Sequence, residues 1–146
     1  MVPGWYFVRI IIVVCILMTL MACATPFERP GPFDDARLRN RAKTIDEDGI
    51  RVSATLPSLE EIRTIFRIDL EKKCIQPLWL EIENNTDRQI YFLPTGLDPE
   101  YFSPREVSFR FHRWFSKNAN KQIDEHIESL GFRNLINPHS TSSGFV

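Results

Sequence analysis

The sequence predicts an α+β fold rich in strand: a sandwich-like (Ig-like) module with helical insertions, incomplete at its C-terminus. Three observations carry this. Ile50, Val52, Ala54 and Leu56 alternate with Arg51, Ser53 and Thr55, and the run from Leu78 to Glu83 alternates in the same way; a period of two is that of a half-buried strand. Two serines, Ser58 and Ser103, stand three residues before glutamates, the spacing that opens helices. The chain stops on Phe145-Val146 just after the polar stretch Ser140 to Gly144. That reads as a turn followed by a strand begun without a partner, which would leave a sheet edge open.

Taken in order, the chain begins with Arg9 and then eleven uncharged residues, Ile10 to Leu20. A secretory leader needs a cation, an apolar stretch of roughly 7–15 residues and small residues at the cut. Leu20-Met21-Ala22-Cys23 resembles the lipobox of bacterial lipoproteins. The resemblance implies a signal peptide over residues 1–22, cleavage between Ala22 and Cys23, and lipid attachment at Cys23 through a thioether-linked diacylglycerol, usually with N-acylation. The chain is therefore expected to be a palmitate-bearing lipoprotein held by its lipid anchor. One acyl chain binds a bilayer only marginally, so two or three give stable anchoring. Ala24, not an aspartate, follows the cysteine; in a two-membrane bacterium this resembles the pattern sent to the outer membrane, facing the periplasm. An uncleaved anchor and ordinary secretion are the alternatives. A spanning helix needs about 20 apolar residues, which Trp5 to Ala22 supplies only with Arg9 inside.

Residues 23–48 read as a tether. Pro26, Pro30 and Pro32 with Gly31 favour extended chain, and the ten residues from Ala24 to Phe33 would hold a domain roughly 30 Å from the bilayer. Arg37, Arg39, Arg41 and Lys43 follow, diluted by Asp34, Asp35, Asp46, Glu47 and Asp48. This basic run reads as a solvated connector, with contact to anionic headgroups as the alternative.

Residues 49–146 form the expected domain. After the first strand, Pro57 ends it, and Leu59, Ile62 and Phe66 line one face of a short helix capped by Ser58 and Glu61. Leu78 to Glu83 is the next strand, Asn84 to Asp87 a turn, and Ile90 to Leu93 returns as its hairpin partner. Asn84-Asn85-Thr86 also matches a glycosylation acceptor, but turn chemistry accounts for it. Leu97 to Pro104 is a rigid, aromatic connection. Ser103, Pro104 and Glu106 then suit N-cap, N1 and N3 of a helix, with Val107, Phe111, Trp114 and Phe115 on one face. A strand is the rival there, since Val107, Phe109 and Phe111 alternate. Ile123, Ile127 and Leu130, closed by Gly131, mark a further helix.

Two of these segments, Ile75-Gln76-Pro77-Leu78-Trp79-Leu80 and Leu97 to Pro104, together with the terminal Ser143-Gly144-Phe145-Val146, carry a second likeness. Residues 49–146 resemble the N-terminal region of bacterial membrane-associated proteins with an LssY C-terminal-type domain. The resemblance implies that further strands and the named domain follow in such proteins. It carries no activity to individual residues.

The 146 residues hold 18 basic and 19 acidic side chains, net −1. Arg9 is the only charged side chain before Cys23, so cleavage leaves the remainder slightly more acidic. No basic field argues for nucleic acid, and none is expected as a partner. Cys15 lies in the leader and Cys23 at the lipid site, so Cys74 is left without an internal disulfide partner. It reads as a buried small hydrophobe. The sequence has no GxSxG, HExxH, phosphate-binding glycine loop or paired CxxC, and it places no nucleophile beside a base. No catalytic, cofactor or metal residues are expected. Asp124, His126 and Glu128 crowd one helix, yet residues two apart face different ways, so they read as a solvated surface. Asp98, Glu100 and Glu106 would be paired carboxylates, but turn and cap chemistry explains them. Tyr101, Phe102, Phe109, Phe111, Trp114 and Phe115 form the densest apolar cluster; core packing is expected, and any exposed remainder marks a protein-partner surface. The function that follows is a membrane-anchored lipoprotein acting in binding or envelope assembly, without an enzymatic role. The alternatives are the accessory part of a hydrolase lacking its catalytic domain, or a truncated product without function.

Overall fold

The computed structural model describes residues 27–96, 98, 100–114 and 116–146, with Trp5 and Arg9 besides. Ala22, Cys23, the apolar leader stretch and Leu97, Pro99 and Phe115 lie outside these residues. The described chain is a mixed α+β structure built on a four-stranded antiparallel sheet.

Within the stretch expected as tether, residues 36–41 form helix α1 (Ala36–Arg41), which buries Leu38, and residues 43–47 form strand β1 (Lys43–Glu47). Asp48 and Gly49 turn the chain with φ of 51° and 78°. Two successive positive φ values suit the right-handed twist of a two-residue hairpin, so β2 (Ile50–Thr55) pairs directly with β1, Glu47 opposite Ile50. Pro57 releases the chain into α2 (Leu59–Phe66). Its start is a capping box: the Glu61 N–H donates to Ser58 Oγ at 3.3 Å, and the Ser58 N–H donates to Glu61 Oε2 at 2.7 Å. Such a cap contributes about 1 kcal/mol. A 3-10 turn over Glu71–Lys73 leads to β3 (Trp79–Asn84), the centre of the sheet.

β3 is central because both of its faces are covered. Trp79, fully buried, packs on one face with Phe145 among Leu38, Ile62, Phe66, Leu70 and the helical side chains Ile123 and Ile127. Leu80 and Ile82, pointing the other way, pack with Phe132 and Ile136. Burying a phenylalanine such as Phe145 contributes roughly 1.5–3 kcal/mol. A separate two-stranded ribbon pairs β4 (Ile90–Tyr91) with β5 (Leu135–Ile136). Helices α3 (Pro104–Phe109) and α4 (Lys117–Leu130) connect its strands.

Three expectations are corrected here. The hairpin between the 78–83 and 90–93 runs does not form, because β3 pairs with β2 and β6 while β4 pairs with β5. Asn84 diverts the chain: fully buried, its Nδ2 donates to the carbonyls of Arg88 at 2.7 Å and Asn137 at 3.1 Å, while its Oδ1 accepts from the Thr86 N–H and hydroxyl. This is turn chemistry, and it leaves the side-chain amide engaged within the fold. Ser140 to Gly144 is not a turn but most of β6 (Ser140–Phe145), antiparallel to β3 with Phe145 opposite Trp79. Its hydroxyls are taken up by neighbours, Ser142 donating to the Arg133 carbonyl at 3.1 Å and Ser143 to Asp35 at 3.2 Å. Val146 is paired as well, exchanging two 2.9 Å hydrogen bonds with Leu78. The helix opened by Ser103 ends at Phe109 rather than running on to residue 115. Val107 is buried on it, and Phe111 and Trp114 follow in turns.

Candidate functional site

A concavity with a largely apolar lining lies where the 74–78 segment faces the 92–104 segment. It has a volume of about 330 Å³, within the range of small-ligand pockets. Leu70 and Phe66 form one wall, Val107, Ile127 and Leu130 another, and Phe145 the floor. The walls hold because the local sequence pins each one. Glu106 Oε2 accepts from the Ser103 N–H at 2.8 Å and from its hydroxyl at 2.7 Å, closing the α3 cap. Gly131, at the end of α4, lets Pro104 approach so closely that a Cβ there would stand 2.7 Å from Pro104 Cγ. The Arg110 guanidinium lies 4.0 Å over the Phe102 ring.

Polar groups are confined to a few places. Asp98, Glu100, Tyr101, Gln76 and Cys74 line the cleft, and among the described residues no lysine, arginine or histidine does. Asp98 Oδ1 accepts from the Glu100 N–H at 2.8 Å, shaping the rim. Burial, helped by the charge of Glu106, pushes the Tyr101 hydroxyl up from its ordinary value. Hydrogen bonds from the Ser103 hydroxyl and N–H hold Glu106 below the usual range. Glu106 is thus committed to its cap, while Asp98 and Glu100 stand at the cleft. Cys74 is exposed, which corrects the expectation of a buried thiol: it closes the 3-10 turn with φ of 54°, and that conformation turns the chain at the surface.

A second cluster joins α3 to α4. Asp124 Oδ1 accepts from Ser108 Oγ at 2.6 Å and from His112 Nε2 at 2.8 Å, and the same Ser108 hydroxyl lies 3.0 Å from the Arg105 carbonyl. Burial pushes the Asp124 carboxyl up, but the hydrogen bonds from Ser108 and His112, with the charges of His112 and Arg105, outweigh it and leave it below the ordinary value. The residue types are those of a hydrolytic triad, but the order differs. An activated serine donates to an imidazole; here serine and imidazole both donate to the carboxylate, and Ser108 is 1% exposed. The arrangement is a clamp. Sequence spacing of sixteen residues between Ser108 and Asp124 gave no sign of it.

His126 is likewise not on a solvated surface. It is buried, its Nε2–H donates to the Ile65 carbonyl at 2.8 Å, and the Phe27 ring lies 5.8 Å away. Burial lowers its pKa, with Arg29 adding to the effect against the hydrogen bond. Asp124, His126 and Glu128 are not brought together: the first joins Ser108, the second joins α2, and the third is exposed. His139 pairs with Asp87 at 2.9 Å at the surface. No group of three metal-ligating side chains occurs among the described residues.

The basic run is partly structural. Arg39 binds Glu81 and Asp35, and Arg41 binds Glu61. Arg37 and Lys43 are exposed. A wider, more polar cleft lies between the 29–38 segment and α2, with Trp79 in its lining. The Trp79 Nε1–H is the one buried side-chain polar atom among the described residues without a hydrogen-bond partner.

Of the aromatic cluster, Tyr101, Phe102 and Phe111 are half-buried, while Phe109 and Trp114 are exposed. Among the described residues no helix is long and apolar enough to cross a membrane. Comparison with family models, curated proteins and solved structures finds no match to this chain.

Proposed function

We propose that this chain is a lipid-anchored binding module of the cell envelope, held at a membrane through Cys23 and taking an apolar ligand in the cleft between the 74–78 and 92–104 segments. The cleft is the observation that carries the reading: about 330 Å³ of largely apolar space with a few polar groups, the composition of a recognition pocket. Its lining draws on the two segments that resemble the N-terminal region of LssY C-terminal-domain proteins. In this reading the fold is sandwich-like, the β4–β5 ribbon being part of a second layer over the sheet. The lipobox residues Leu20 to Cys23 support the tether, and Ala24 supports an outer-membrane address facing the periplasm.

Cys74 reports on the cleft because its exposed thiol lines it. Decanol, a neutral apolar probe, should slow maleimide alkylation of Cys74 in the full chain several-fold, read by peptide mass mapping so that other cysteines do not interfere. An unchanged rate at saturating decanol contradicts the reading.

A further inference from the structure

We propose that the junction between α3 and α4 is a contact surface for an anionic bilayer. Trp114 and Phe109 are the two most exposed large hydrophobic side chains among the described residues, at 85% and 72%. They stand among Arg105, Arg110, Arg113 and Lys117, all exposed. Arg105, Arg110 and Lys117 enter no ion pair among the described residues. Two acids share the stretch, and both have partners within it: Glu106 closes the α3 cap and Asp124 holds Ser108 and His112, so the four exposed cations outnumber them. Aromatic rings interleaved with cations match the chemistry of the headgroup layer, where rings lodge at the apolar boundary and cations meet phosphate.

Hydrogen bonds join α4 to the described residues that precede it. The Arg113 N–H donates to Asn120 Oδ1 at 2.8 Å, and Asn120 Nδ2 donates back to the Arg113 carbonyl at 3.0 Å. One turn further along α4, Asp124 secures Ser108 and His112. Two side chains of one helix therefore hold groups beside the exposed rings: Asn120 the Arg113 backbone next to Trp114, and Asp124 the Ser108 and His112 side chains near Phe109. An acidic protein would also meet the cations. The bilayer is favoured because two exposed rings and four exposed cations together match a headgroup layer, and because the proposed tether at Cys23, on which this choice of occupant rests, already holds the body beside one. The surface adjoins the ligand cleft, since the Arg110 guanidinium lies over Phe102 of the cleft lining, and a lipid on Cys23 would only bring it nearer its partner.

The test uses the full chain in vesicles, in a Trp5→Phe background, so that Trp114 emits beside the fully buried Trp79. Subtracting the signal of a further Trp114→Phe variant isolates Trp114. In phosphatidylglycerol vesicles Trp114 should be quenched by brominated acyl chains and shielded from aqueous acrylamide. Arg105→Gln and Lys117→Gln should each lower the docked-to-undocked ratio roughly five-fold; Lys117→Gln, at an exposed position outside every ion pair among the described residues, serves as the variant that spares the fold. Equal acrylamide access in anionic and neutral vesicles overturns the proposal. So does shielding that appears only when an acidic protein is added, or quenching that is indifferent to lipid charge.

Discussion

His126 sits on α4 with its Nε2–H against the Ile65 carbonyl, so one imidazole ties the last helix to α2. Burial disfavours its charged form and lowers its pKa below the ordinary 6.5. In the unfolded chain the same ring takes a proton near 6.5. Between the two values the unfolded state binds more protons, so stability rises with pH there. The contribution of neutral His126 is complete above 6.5 and is lost as pH falls from 6.5 toward the lowered pKa. Urea midpoints across that window should drop on acidification, and His126→Gln should flatten the slope. An unchanged slope would mean the ring is not held neutral. Glu61 acts in a lower window: its hydrogen bonds with Arg41 hold it at about 2. At this scale the sequence was a weak guide. Local composition puts Cys74 inside and His126 outside, and the fold reverses both, because composition does not report which neighbour a distant segment supplies.

Elements whose cause is local were legible; elements whose cause is distant were not. The two capping boxes, at Ser58 and Ser103, were read from spacing alone and both are present. α4 ends at Leu130 before Gly131 as its periodicity implied. The β1–β2 hairpin had a signal too, the Asp48-Gly49 pair, which marks a two-residue turn; the charges around it disguised β1 as connector. β6 had only its last residue, Phe145, to mark it as strand, the rest being mostly small and polar. Its place comes from pairing with β3 and from the close approach of the 131–133 segment, where the Phe132 N–H donates to the Phe145 carbonyl at 2.9 Å. Gly144 makes that approach feasible. An added Cβ would stand 2.8 Å from the Phe132 backbone nitrogen, so the segments would have to part. Gly144→Ala should therefore destabilise the fold by roughly 1–3 kcal/mol, measured by chemical denaturation. A change within about 0.5 kcal/mol, the range of indifferent surface substitutions, would show that the segment yields freely.

Across the molecule, one sheet face is closed by helices and the other is partly covered by the β4–β5 ribbon. The ribbon's outer side carries Tyr91, Leu93 and Leu135 exposed, and Ile45 is exposed on β1. The α+β class was legible from alternation and caps. The layer arrangement was not, because β4 found its partner some forty-five residues away in β5. The cleft was legible only in its parts: the 75–80 and 97–104 segments were singled out, but nothing local said that they face one another. The α3–α4 clamp was invisible for the same reason. What unites cleft, exposed rings and tether in the proposed function is a body held beside a bilayer by its own N-terminus. Mass spectrometry of the protein purified from cell envelopes tests that most directly. The account expects an N-terminal peptide beginning at Cys23 and bearing a diacylglyceryl thioether; a leader still joined to an unmodified Cys23 thiol would contradict it.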